Sequence, residues 1–125
     1  MFDLKIFADL AGQPLGSFAE KPTTLTPGQT EASSVLWTSA DGHTVIGVWE
    51  CTPGRFTADR SKAGEYCHIL SGRASVSNAD GSGTRDIGPG DLLVLPQGWT
   101  GTWVIHEHVR KLFVLDAAPA RPAGQ

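Results

Sequence analysis

The chain has 125 residues, 40% hydrophobic and 18% charged, with a formal net charge of −3. That is the composition of one globular domain, large enough to bury a core without disulfides. The acidic balance gives no basic footprint for nucleic acid and no polybasic membrane patch, and no apolar run reaches the length of a membrane span.

The opening MFDLKIFADL is broken by Asp3, Lys5 and Asp9, so it does not read as a secretory leader. The only cysteines, Cys51 and Cys67, make no disulfide framework, and a cytoplasmic protein is expected. Residues 1–34 read as an extended N-terminal arm. GQPLGSFAEKPTTLTPGQTE is polar and broken by Pro and Gly, and LKIF is the one stretch fit for an edge strand.

From residue 35 the pattern changes. VLWTS (35–39) and TVIGVWE (44–50) flank Asp41-Gly42 as a hairpin, and CTPGRF (51–56) reads as a turn with Pro before Gly. EYCHIL (65–70) is a strand stopped at Ser71-Gly72. RASVS (73–77) and TRDI (84–87) form a second hairpin around NADGSG, and GPGD turns into LLVLP (92–96). WTGTWVI (99–105) follows, then HEH (106–108) as a solvated loop, and then RKLFVL (110–115). No segment holds a helical apolar period for three turns, and turns recur about every 8–12 residues, the mark of an all-β sandwich or barrel. The domain is placed at 35–116, with AAPARPAGQ (117–125) as a flexible tail.

Two windows are more specific. In GEYCHILSG, Glu65 stands seven residues before Gly72; in GPGDLLVLPQG, Gly90 stands six before Pro96, followed by Gly98. These spacings resemble the two motifs of the cupin superfamily, whose first runs Gly, His-x-His, Glu-x6-Gly and whose second runs Gly-x5-Pro-x-Gly-x2-His. The match covers 54–105, and the strand pattern extends it to about 35–115. VWECTPGRF, EYCHILSG, GDLLVLPQGWTGTW and VRKLFVL look like the small single-domain cupins related to ureidoglycine aminohydrolase and to the ethanolamine-utilisation cupin. The resemblance implies an antiparallel jelly-roll β-barrel, often paired as a homodimer.

The departures from that pattern carry the functional reading. Metal-binding cupins converge a His pair, a Glu and a second-motif His inside the barrel. Here no histidine lies between Gly54 and Glu65, and the second-motif position is Gly101, so Glu65 alone remains. One carboxylate does not hold a divalent ion, for which about three protein ligands including imidazole are usual. Asp59 and Cys67 are the available substitutes, a mixed set of hard oxygen and soft sulfur. No cofactor is expected.

Positions 101, 103 and 105 share a strand face. In GTW, Gly101 is read as leaving a gap that Trp103 crosses, its indole N–H directed to Glu65. The expected contents are a small-molecule pocket with Glu65 as polar anchor, aided by Arg55 or Lys111, and walls from Trp103, Cys67, Ile69, Trp99 and Phe56. A small polar metabolite with an amine, amide or carboxylate would fit. Arg60, Arg85 and Arg110 are further guanidinium groups, read as mainly solvated; Tyr66 and His68 face away from Glu65, and His43 lies at an exposed turn. Two other readings stay open. One is an enzyme of nitrogen-metabolite chemistry, aminohydrolase- or isomerase-like, using Glu65. The other is a structural dimerisation module with a filled interior.

Overall fold

Period-two alternation and frequent turn residues give a chain of strands. Eight are present within residues 1–117, the part that the computed structural model describes: β1 (Ala19–Glu20), β2 (Thr30–Thr38), β3 (Thr44–Cys51), β4 (Gly54–Asp59), β5 (Gly64–Asn78), β6 (Arg85–Ile87), β7 (Leu92–Leu95) and β8 (Thr100–Asp116). The expected tail, 117–125, falls outside the described residues from 118 onward. Among the described residues no helix is long and apolar enough to cross a membrane.

The frame is a ribbon of β5 and β8, antiparallel from Gly64 opposite Asp116 to Asn78 opposite Gly101. One half of the ribbon lies in a sheet ordered β1-β2-β3-β8-β5-β7, and the other half lies in β4-β8-β5-β6. The two inner faces meet over a core that includes Trp49, Phe56, Cys67, Ile69, Trp103 and Phe113. This is the all-β, antiparallel jelly-roll architecture that the strand pattern and the motif resemblance imply.

The ribbon bends where the register of β5 shifts, between Ile69 and Ala74. Gly72 sits there at φ +87°, and a Cβ on it would lie 2.1 Å from the carbonyl oxygen of His108. Only glycine permits both that backbone conformation and that approach. The bulge also changes phase: Glu65, Cys67 and Ile69 are buried on one side of it, Ala74 and Val76 on the other. β5 therefore continues through Ser71-Gly72 instead of ending there, because a bulge bends a strand without stopping it.

Other segments depart from expectation for related reasons. HEH is the middle of β8, not a loop, and its side chains are exposed on the outer side of the bend. His106 Nε2 lies 2.8 Å from Ser75 Oγ, and His108 Nε2 lies 2.5 Å from Glu50 Oε1. GRFTAD, whose first residues close the expected turn, is β4, with Phe56 and Ala58 packed on the core and Arg55, Thr57 and Asp59 exposed. LKIF forms no strand; the short edge strand is β1, and β2 begins at Thr30, inside the expected arm. Arg110, buried rather than solvated, ties the arm down. Its guanidinium donates to the carbonyls of Leu10 and Gln13 and pairs with Glu50.

Gly101 has a different cause from the one expected. A Cβ there would lie 2.1 Å from the carbonyl oxygen of Ser77 and 2.2 Å from Cζ2 of Trp99. The space is thus closed by the neighbouring strand and by Trp99, whose indole N–H donates to Asn78 Oδ1 at 3.0 Å, and not by Trp103. Gly101→Ala should destabilise the fold by about 1–3 kcal/mol through overpacking. Chemical denaturation checks this, and adding Trp99→Ala should recover only part of the loss, because the Ser77 carbonyl is backbone and cannot move aside.

Candidate functional site

Cross-strand pairing assembles the interior. Phe56 on β4 stands opposite Trp103 on β8, and Trp49 on β3 stands opposite Lys111 on β8. Such opposed positions bring side chains on one face into contact. The Phe56 and Trp103 rings stack with centroids 5.9 Å apart and planes 12° apart; Trp49 meets Trp103 edge-on at 6.2 Å. Together with Phe113 and Leu115 these rings wall a cavity of about 190 Å³. Its polar lining comes from β2 (Glu31, Ser33), β5 (Glu65), β8 (Lys111), and two residues outside the strands, Lys21 and Arg60.

Glu65 is 3% exposed. Its Oε1 accepts from Arg60 Nε at 3.0 Å, and its Oε2 lies 2.9 Å from the Lys111 ammonium. Lys111, 4% exposed, sits over the Trp49 and Trp103 rings at 4.3 and 4.5 Å from their centroids. A second pair lies across the cavity. Lys21 Nζ is 2.8 Å from Glu31 Oε1, which also accepts from the Trp49 indole N–H at 2.8 Å. The Lys21 ammonium rests 4.4 Å from the centroid of Phe56. The loop carrying Arg60 is pinned by backbone bonds, Arg60 N–H to Trp99 O and Gly98 N–H to Arg60 O.

Of the residues singled out from sequence, Glu65, Trp103, Lys111 and Phe56 meet around this cavity. Cys67 and Ile69 are wholly buried in the core and do not line it, and Trp99 packs elsewhere. Arg55 is exposed on the outer face of β4; Arg60 takes the place considered for it. The indole bonded to a carboxylate is that of Trp49, on Glu31, and the partners of Glu65 are cations. Lys21, Glu31, Ser33 and Trp49 were not expected. Glu31 and Ser33 alternate on β2, but a polar inward face leaves no apolar period to read. Lys21 arrives from a loop, where only the fold could place it.

The ionisation of the site is fixed by these contacts. Burial opposes the charge on Glu65, yet Lys111 and Arg60 outweigh it and hold the carboxyl below the usual 4.5. Burial likewise opposes the Lys111 ammonium, and the adjoining Cys67 sulfur and Glu65 carboxylate outweigh it, holding the group above the usual 10.5. Glu31 is kept low, against burial, by its bonds from Lys21 and Trp49. Burial pushes the thiols of Cys51 and Cys67 up to about 11 and about 12.

The donor chemistry does not fit a metal of the kind bound by metal-binding cupins. Among the described residues no group of three or more His, Cys, Asp or Glu side chains is placed to hold an ion. Both oxygens of Glu65 already face cations, Asp59 is exposed and bonded to the Ser61 N–H, and Cys67 is a protonated thiol at neutral pH. A divalent ion here would adjoin two positive side chains.

Comparison with known proteins agrees with the geometry of the barrel. The family model of the EutQ-like cupin domain matches residues 38–113. Among solved structures, a Pseudomonas syringae protein of unknown function from the DUF861 family superposes with a TM-score of 0.71 at 24% identity, over 86% of this chain; the chain spans only 46% of that protein. A putative ethanolamine utilization protein Q from Salmonella typhimurium gives 0.66 at 22% identity, over 82% of this chain and 80% of its own. A Rhizobium leguminosarum protein of unknown function gives 0.61 at 28% identity, over 74% and 86%. No curated protein matches the chain.

Removing one partner of a buried pair strands the other charge, which costs about 3–5 kcal/mol, whereas replacing both with apolar groups does not. Glu65→Ala should therefore lower unfolding free energy by about that amount, and Glu65→Leu combined with Lys111→Met should regain most of it in the same denaturation assay. The pH dependence follows from the signs. Carboxylates held below 4.5 stabilise the fold above about that pH and lose the contribution as pH falls through their folded values; an ammonium held above 10.5 stabilises below about that pH and loses it on further rise. A melting-temperature profile should be flattest between about pH 4.5 and the ordinary thiol value of 9.0, above which the Cys51 and Cys67 thiols, held protonated in the fold, begin the alkaline decline; Lys111→Met should remove the part that sets in above about 10.5.

Proposed function

The chain belongs to the EutQ-like cupin family, and we propose that it is a metal-independent cupin that binds a small polar metabolite inside the barrel. The observation that carries this reading is an aromatic-walled cavity whose acids and lysines are already paired with one another, Glu65 with Arg60 and Lys111 and Glu31 with Lys21, contacts that hold the carboxyls below and the Lys111 ammonium above their usual values. General acid–base catalysis works best with a group that titrates near the operating pH. A carboxylate clamped between two cations is a weak base, and a lysine held protonated is not a nucleophile. Aromatic walls with a few fixed charges are instead the ordinary makeup of a binding pocket. A cavity of about 190 Å³ also argues against an interior filled purely for structure.

The test is a metabolite screen by thermal shift, with and without EDTA, on protein of measured metal content. A saturating ligand at about 100 times its Kd adds about 2.7 kcal/mol, so a rise of several degrees that is indifferent to chelator is expected. Stoichiometric transition metal whose removal abolishes the response would refute the proposal. So would a ligand response that survives Trp103→Leu unchanged.

A further inference from the structure

The proposed metabolite site has a charge pattern that narrows its ligand, and the narrowing rests on that reading. Three cations line the cavity, Lys21, Arg60 and Lys111, against two carboxylates, Glu31 and Glu65. Each carboxylate is already engaged: Glu31 by Lys21 and the Trp49 N–H, Glu65 by Arg60 on one oxygen and Lys111 on the other. Both bonds to Glu31 fall on Oε1, so an incoming ammonium would meet only Glu31 Oε2 without a partner among the described residues, and it would join three cations already in place.

The aromatic faces tell the same story. Rings arranged around a pocket recognise cations through their negative faces. Here those faces are taken by the protein's own lysines, Lys21 over Phe56 and Lys111 over Trp49 and Trp103. Phe56 and Trp103 stack on each other, with no room for a ring between them. What is left over is one positive charge in a partly dehydrated space. Donor capacity is left as well. The guanidinium of Arg60 uses Nε for Glu65 and Nη1 for the Asp59 carbonyl, leaving Nη2 with no bond among the described residues, while its side chain remains 29% exposed.

We propose that the pocket selects a small organic monoanion, a carboxylate on a short apolar body, with the carboxylate on Arg60 and the body against the indole and phenyl edges. Adding such an anion brings the five-charge cluster to neutrality; a neutral ligand leaves the surplus, and a cation doubles it. The volume sets the size. About 190 Å³ is roughly six times a water's ~30 Å³ share, which suits a ligand of about six to ten heavy atoms.

The experiment compares matched series at fixed ionic strength and neutral pH. Butyrate, butyramide and butylamine form one, and benzoate, benzamide and benzylamine the other, each titrated by calorimetry and by tryptophan fluorescence. At least one carboxylate should bind tenfold or more tighter than its amide, and neither amine should bind. Arg60→Gln should remove the preference for carboxylate over amide, while Arg60→Lys should keep part of it; circular dichroism and melting confirm that both variants fold. An amide or amine equal to its carboxylate overturns the assignment and leaves the pocket as a binding site. A preference unchanged in Arg60→Gln does the same. Failure of all six compounds overturns the assignment, and the metabolite screen then decides separately whether the pocket binds anything.

Discussion

Taking a carboxylate into an apolar barrel costs several kcal/mol unless cations follow it in. Glu65 enters at the start of β5, Lys111 meets it from β8, and Arg60 closes over it from a loop pinned to Trp99 and Gly98. The remaining features of the cavity lean on this cluster. The Lys111 ammonium is steadied by two indole faces, and one of those indoles donates to Glu31, which in turn holds Lys21 over Phe56. Charge and ring alternate around the cavity so that both lysines have an acid and a π-face, while Arg60 has Glu65. Such a network is rigid because a change in any member leaves a buried group unpaired.

The same contacts engage the acid that metal-binding cupins direct at an ion. In metal-binding cupins several ligands share the charge of one ion. Here the only surviving acid of the family motifs is neutralised by side chains of the chain itself, and the position of the second-motif histidine is closed by Ser77 and Trp99 around Gly101. Three side-chain cations and two carboxylates line the cavity, so its residual charge is positive.

Much of the fold was legible because barrels announce themselves through punctuation: Asp41-Gly42, the NADGSG turn and Pro96-x-Gly98 all mark real ends of strands. The long strands were not, since the bulge at Gly72 and the polar HEH look like terminators when only local sequence is read. The site divides along the same line. Glu65, Trp103 and Lys111 lie on strands whose registry the motifs anchor, so their convergence could be anticipated. Lys21, Glu31 and Arg60 depend on where loops and a polar-faced strand come to rest, and that is decided by tertiary packing. Arg55 was favoured over Arg60 because the strand character of β4, which turns Arg55 outward, carried too short an apolar alternation to recognise.

β8 has one more implication. Among the described residues it follows every other strand, yet it is the partner of β3, β4 and β5, all made before it. During synthesis each of those strands waits with an unsealed edge until residues 100–116 arrive. At roughly 5–20 residues per second the wait from Cys51 is on the order of seconds, long compared with the microseconds in which a local hairpin closes. The β2–β3 hairpin can form early, but the barrel closes late, and until then β3, β4 and β5 each keep an edge that only β8 covers.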